Sequence, residues 1–135
     1  MKLTATLLAL ATMFTVACHG APAEPGEMIT PEIMAAIESQ ALIVDVRTPK
    51  EFADGHYPGA INIPHDTILE GIEQLGVTEE TPVILYCRSG NRSGQAEQAL
   101  QKKGFTEARN AGGLEALLSA TAQQASRPSS AQSSE

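Results

Sequence analysis

An α/β fold, with a small and mostly parallel sheet flanked by helices, is predicted for this chain by three observations. Short apolar runs alternate with stretches of helical spacing, and that alternation implies parallel pairing through right-handed crossovers. Helix-start and helix-stop residues stand at the edges of those stretches. The 135 residues, 42% hydrophobic and 19% charged, have a globular composition with room for one small domain plus targeting and tail segments. Trp is absent and aromatics reach only 4%, so Ile, Leu, Val and Ala must build the core. About 100 residues are enough for such a core to hold without disulfides.

The first element is a targeting segment. Lys2 gives a short positive start, and Leu3 to Val16 is an apolar run too short and too early for a membrane span. Two exits follow. Ala21-Pro22-Ala23 fits ordinary signal cleavage after residue 23, whereas Thr15-Val16-Ala17-Cys18 resembles a lipobox that would leave Cys18 as a lipidated first residue. Both imply export. Residues 24–29 read as a Pro/Gly-containing linker, 30–120 as the domain, and 121–135 as a polar tail too poor in apolar side chains to repay its ordering entropy.

Within the domain, Thr30-Pro31-Glu32 opens a helix with Thr as N-cap and Pro in the first turn, and Ile33, Met34 and Ile37 follow at helical spacing. Ala41 to Val46 is a continuous apolar run interrupted only by Asp45, as expected of a strand buried on both faces. Thr48-Pro49-Lys50-Glu51 has capping-box spacing and starts a short helix ended by Gly55. Ala60 to Ile63 is a second strand, closed by Pro64. Ile68, Ile72 and Leu75 mark a helix stopped at Gly76, and Pro82 to Cys87 is the most apolar strand. Ser93 to Lys103 forms a helix that Gly104 ends, a weak strand covers Ala108 to Ala111, and a last helix runs through Leu114, Leu117 and Leu118.

The chemistry gathers where such folds place their sites, beyond the carboxyl ends of the strands. Asp45-Val46-Arg47, Asn62 to Pro64, and Cys87-Arg88-Ser89-Gly90-Asn91-Arg92-Ser93 all fall there. The last segment carries the strongest signal. Gly90 and Asn91 are the residues best able to take left-handed backbone angles, which would turn successive N–H groups toward the sulfur. A helix N-terminus near Ser93 adds partial positive charge, and Arg88 and Arg92 add full charges. Each effect favours thiolate over thiol, so Cys87 is expected to be nucleophilic near neutral pH. Of the two cysteines, Cys18 lies in or beside the signal, which leaves Cys87 as the domain's single thiol. An unpaired Cys in an exported protein points to reactivity.

The order of these segments resembles the single-domain rhodanese family, whose members include periplasmic proteins. The matching residues are Asp45-Val46-Arg47, Glu51-Phe52, Gly55-His56-Tyr57-Pro58-Gly59-Ala60-Ile61-Asn62-Ile63-Pro64, the loop Cys87 to Ser93 with Gly94-Gln95-Ala96, and Asn110-Ala111-Gly112-Gly113-Leu114. Tyr57 departs from the pattern, where an aliphatic residue is usual. The resemblance implies a rhodanese-like three-layer fold and a sulfurtransferase located in the periplasm. Sulfane sulfur would pass from an anionic donor such as thiosulfate, through a Cys87 persulfide, to cyanide or a thiol acceptor. It further implies that Arg88 and Arg92 attract the donor and that Arg92 is tied to acidic partners, for which Asp45 and Glu51 are candidates.

Asp45 and Arg47 read as a structural ion pair, and His56 as a hydrogen-bonding scaffold residue in a turn. His19 and His65 are far apart, no cluster has metal-ligand spacing, and neither a metal nor another cofactor is expected. The net charge of -7 argues against nucleic acid as a partner. A monomer is favoured. The rivals are a cysteine phosphatase or arsenate reductase of the same fold, a persulfide carrier, and a binding module. The phosphatases that this loop resembles have five residues between Cys and Arg, whereas Cys87 and Arg92 enclose Arg88 to Asn91 alone. Retention of Cys87 speaks against a pure docking module.

Overall fold

A computed structural model describes residues 28–127, so the signal segment, Cys18, most of the linker and the end of the tail lie outside the described residues. The chain runs α1 (Pro31–Glu38), β1 (Leu42–Asp45), α2 (Pro49–Ala53), β2 (Ile61–Asn62), a 3-10 turn (His65–Thr67), α3 (Ile68–Leu75), β3 (Val83–Cys87), α4 (Asn91–Lys102), β4 (Ala108–Gly113) and α5 (Leu114–Ala125). The strands form a 4-stranded sheet in the order β2-β1-β3-β4, and every pairing is parallel. The predicted α/β class and its alternation of elements are therefore what the chain adopts.

Strand periodicity explains why the central strands are apolar throughout. Successive side chains point to opposite faces. In β3, Val83, Leu85 and Cys87 belong to one core cluster, while Ile84 and Tyr86 belong to the other. The first cluster is closed by Ile68 and Ile72 of α3 and by Ala96 and Leu100 of α4. The second is closed by Ile33 of α1 and Leu117 of α5. Three layers result. Burial of each such Ile, Leu or Val contributes about 1.5–3 kcal/mol. Cys87, last in β3, thus faces the α4 side.

Local signals set the helix ends. Thr30 Oγ1 accepts from Ile33 N, α2 carries a complete capping box between Thr48 and Glu51, and Gly76 stops α3 with φ 65. Several boundaries differ from those predicted, among them β4, which extends to Gly113 instead of ending at Ala111. Helix α4 begins at Asn91 rather than near Ser93, because Gly90 alone takes the left-handed angle (φ 92) and Asn91 is already helical. Helix α5 runs to Ala125, past the expected boundary at 120, because Ala and Gln are good helix formers and let the preceding helix propagate. Thr121 Oγ1 donates back to the carbonyls of Leu117 and Leu118, and Gln124 Nε2 donates to Glu38 Oε1. The predicted linker also ends early, since Ile29 packs against the α1 side of the core.

Candidate active site

The site is assembled at the carboxyl ends of the parallel strands, where β3 runs into the loop before α4. A bulge in the pairing of β3 with β4, between Leu85 and Cys87, brings Cys87 opposite Gly113. Cys87 is buried, with 1% of its surface exposed. The Gly90 N–H donates to Cys87 Sγ at 3.0 Å, and the Ser93 hydroxyl lies 3.4 Å from the same atom. Burial opposes the thiolate. Hydrogen bonds from the Ser93 hydroxyl and from the N–H groups of Ser93, Ser89 and Gly90 outweigh it and bring the thiol down to about 7. Of the expected inward N–H groups, that of Gly90 lies within hydrogen-bond distance of the sulfur, and the first turn of α4 adds the Ser93 hydroxyl.

Among the predicted residues, Arg92 reaches Glu51 in a two-pronged ion pair, Nη1 to Oε2 at 2.8 Å and Nη2 to Oε1 at 3.0 Å. Glu51 is held in turn by Thr48, whose N–H and hydroxyl both donate to Oε2 at 3.0 Å. Arg92 first, and then the Thr48 N–H, hold the Glu51 carboxyl far below the ordinary carboxylate range. The helix cap that starts α2 thereby also aims the residue that anchors Arg92. The Arg92 guanidinium is raised chiefly by Glu51, with a smaller contribution from Cys87.

Asp45 is not a partner of Arg92. It is fully buried and accepts from the Arg47 backbone N–H at 2.9 Å, from Arg47 Nη2 at 2.6 Å and from the Tyr86 hydroxyl at 2.8 Å. Its oxygens are committed to that network, which leaves Glu51 alone to serve Arg92. The structural ion pair expected of Asp45 and Arg47 is what forms. His56 is exposed, stacks on Phe52 with ring centroids 3.7 Å apart, and donates from Nδ1 to the Phe52 carbonyl at 2.9 Å. It belongs to the turn and does not approach the sulfur. Tyr57 is buried beside Tyr86, and its N–H donates to the Tyr86 hydroxyl at 2.9 Å. Asn91 and Arg88 are exposed, and Arg88 lines a cleft of about 810 Å³ together with Arg47, Glu51, Ser89, Leu114 and Glu115.

Sequence reasoning missed Asn110. Its Oδ1 accepts from the Ser93 hydroxyl at 2.7 Å and from Gly112 N at 2.9 Å, while its Nδ2 donates to the Gly90 carbonyl at 3.0 Å. These contacts fix the amide's orientation and brace the loop from β4. The Ser93 hydroxyl has one proton for two acceptors, so Cys87 Sγ and Asn110 Oδ1 compete for it. The sequence places Asn110 in the segment Asn110 to Leu114 that matches the family pattern, but gives it no role. The chemistry such an arrangement offers is nucleophilic attack by a stabilised sulfur anion.

Comparison with known proteins bears on the family and the fold. The family model for the rhodanese-like domain matches residues 30–120. The thiosulfate sulfurtransferase PspE of Escherichia coli (strain K12) is 41% identical over 71 residues, covering 53% of this chain and 68% of that protein. Further curated relatives are spanned over between 18% and 64% of their own length. A solved rhodanese with anions from E. coli is 38% identical with a TM-score of 0.54, covering 56% of this chain and 89% of that one. The human single-domain sulfurtransferase TSTD1 is 30% identical with a TM-score of 0.57, covering 66% of this chain and 91% of that one.

Proposed function

Because the chain belongs to the rhodanese-like domain family, and sulfurtransferases are among its relatives, we propose that it moves a sulfane sulfur from thiosulfate to a thiophilic acceptor through a persulfide on Cys87. The observation that carries this reading is the set of donors on Cys87 Sγ, the Gly90 N–H at 3.0 Å and the Ser93 hydroxyl at 3.4 Å.

In the loading step the Cys87 thiolate attacks the outer sulfur of thiosulfate. The new S–S bond forms as the old one breaks, and sulfite leaves with the electron pair. The terminal persulfide sulfur now carries the charge that began on Sγ. In the unloading step cyanide, or an acceptor thiolate, attacks that terminal sulfur. Thiocyanate or a small persulfide departs, and the Cys87 thiolate is restored. No oxidant is required, since the sulfane sulfur keeps its oxidation state from donor to acceptor. The loop donors stabilise charge on sulfur before and after loading without reorganising, which is how preorganised N–H groups lower barriers. Arg88 at the cleft and Arg92 beside the loop favour an anionic donor. The short loop suits one sulfur atom better than a tetrahedral phosphate, which sets a phosphatase second.

Thiocyanate formation from thiosulfate and cyanide tests the reading, with wild type compared against Cys87→Ser. Activity that disappears in the variant is expected. A folded wild type that forms no thiocyanate would refute thiosulfate as donor and leave a persulfide carrier with another donor.

The export reading is part of the proposal. It rests on the positive start at Lys2, the apolar run from Leu3 to Val16 and the two cleavage patterns that follow it. Among the described residues no helix is long and apolar enough to cross a membrane. Periplasmic protein is expected on cell fractionation. If Cys18 carries the lipid, the protein sediments with membranes and Cys18→Ala releases it; soluble wild type would exclude the anchor.

A further inference from the structure

Residue 28 lies ahead of the segment that the family model matches, yet its side chain packs on the glycines that shape the sulfur cradle. A Cβ placed on Gly90 would lie 2.9 Å from Met28 Sδ and 3.2 Å from Gly112 Cα, and one on Gly112 would lie 3.0 Å from the same sulfur. Gly90, Gly112 and the Met28 thioether therefore meet with no space between them. Both glycines are buried and left-handed, with φ 92 and 80. Asn110 ties them from the other side, through the Gly90 carbonyl at 3.0 Å and the Gly112 N–H at 2.9 Å.

Glycine has more alternative backbone conformations than any other residue, so a donor carried by a glycine is the easiest to lose. The Gly90 N–H is the shortest recorded contact on Cys87 Sγ. Asn110 and the Gly94 N–H secure the carbonyl of that residue. Met28 and the Gly112 Cα are seated against its Cα, and Met28 is the side chain of the two. An unbranched thioether suits this position, because it fills an irregular gap without demanding one rotamer.

We propose that Met28 is a positioning residue of the sulfur cradle, whose side chain holds Gly90 in the conformation that aims its N–H at Cys87 Sγ. The inference rests on the proposed sulfur site but not on any particular donor or acceptor. Without Met28, Gly90 samples other angles, and both the thiolate and the loaded persulfide lose a preorganised donor. The domain as the family pattern delimits it would thus lack part of its own site.

The test is the pH profile of Cys87 alkylation in the full chain, comparing wild type, Met28→Ala and Met28→Leu. The Cys87 peptide is quantified by mass so that Cys18 is not counted, and thermal melting is followed in parallel. Neither substitution changes charge. Arg92 on α4, its partner Glu51 on α2, and Arg88 at the cleft keep theirs, so a moved profile reports geometry. Met28→Ala is expected to alkylate about three- to tenfold more slowly at pH 6, with the midpoint displaced upward. Met28→Leu restores the wild-type profile, since similar volume over the glycines is what matters. A Met28→Ala profile that superimposes on wild type, even with a lower melting temperature, would overturn the proposal by showing that Met28 only packs. A leucine variant that behaves like alanine would overturn it as well. A wild-type midpoint equal to that of an ordinary thiol would overturn both this proposal and the cradle beneath it, whereas the other two outcomes leave the cradle standing.

Discussion

Reactivity at Cys87 is a contest between burial and hydrogen bonding, decided by small polar contacts rather than by full charges. The Ser93 hydroxyl is the largest of the effects that favour the thiolate, ahead of the loop N–H groups. Arg92, a full positive charge named by the sequence motif, turns both of its Nη atoms to Glu51. The wild-type thiol is therefore expected to alkylate with a midpoint at about 7. Below that midpoint the rate falls tenfold for each pH unit as thiolate gives way to thiol. Ser93→Ala removes the hydroxyl but keeps the Ser93 N–H donor. Its midpoint rises by about half a unit to one unit, so alkylation at pH 6 slows about three- to tenfold while the alkaline plateau changes little. An unchanged midpoint would mean that the hydroxyl stays with Asn110 in both protonation states.

At the scale of elements, the loop is held by its neighbours' ends. The start of α2 positions Glu51, the first turn of α4 supplies N–H donors, and the β4 end closes over the Arg88 backbone. That last contact is tight, since a Cβ on Gly113 would come within 2.5 Å of the Arg88 carbonyl oxygen. Because backbone cannot yield as a flexible side chain can, Gly113→Ala must push β4 away from the loop that follows Cys87. The variant is expected to lose about 1–3 kcal/mol of stability in denaturant titration and most of its sulfur-transfer activity. A fully active, equally stable Gly113→Ala would show that β4 does not brace the loop. These supports differ in how legible they were. The capping box at Thr48 to Glu51 and the glycine stop at residue 76 were readable because their partners lie within one helical turn. The order of strands and the Cys87 loop were readable from the alternation of apolar runs and from the motif. The roles of Asn110, though it stands in a matching segment, and of Met28 were not, because their partners are distant in sequence and no spacing links an Asn or a Met to them. The offset at α4 has the same character. Gly90 and Asn91 can both turn left-handed, and only the packing of the loop decided that Gly90 does so alone. The tail boundary differs for another reason: low apolar content in residues 121–125 is no bar to order where helix propensity and an existing helix are enough for α5 to continue.

For the whole molecule, the carboxyl end of the sheet is joined by one buried polar network, and this is where fold and site depend on each other. Asp45 at the end of β1 binds Arg47 and the Tyr86 hydroxyl of β3, the residue directly before Cys87. Tyr86 in turn accepts from the Tyr57 N–H, Arg47 Nη2 donates to the Gly55 carbonyl, and Asn62 Nδ2 of β2 donates to the carbonyls of Asp45 and Arg47. Three strands and the connection after α2 are thus joined in one network, in which the Asp45 carboxylate holds Arg47 and Tyr86 directly and the main-chain carbonyls of Asp45 and Arg47 hold β2. Among the described residues no buried side-chain nitrogen or oxygen lacks a partner, so the network is closed and any deletion leaves a desolvated group behind. Asp45→Ala strands the buried Arg47 guanidinium and the Tyr86 hydroxyl at once. It is expected to cost about 3–5 kcal/mol in urea titration, a large share of the stability of a domain this size. Replacing Asp45 and Arg47 together by apolar residues of similar volume should cost much less, because no charge is then left unpaired. The comparison separates two roles for the network. If the double variant is stable but transfers sulfur slowly, the carboxylate is needed to hold Tyr86, and through it Cys87, in register. If it is stable and fully active, Asp45 only satisfies Arg47, and the cradle stands on the loop, Asn110 and Met28 alone.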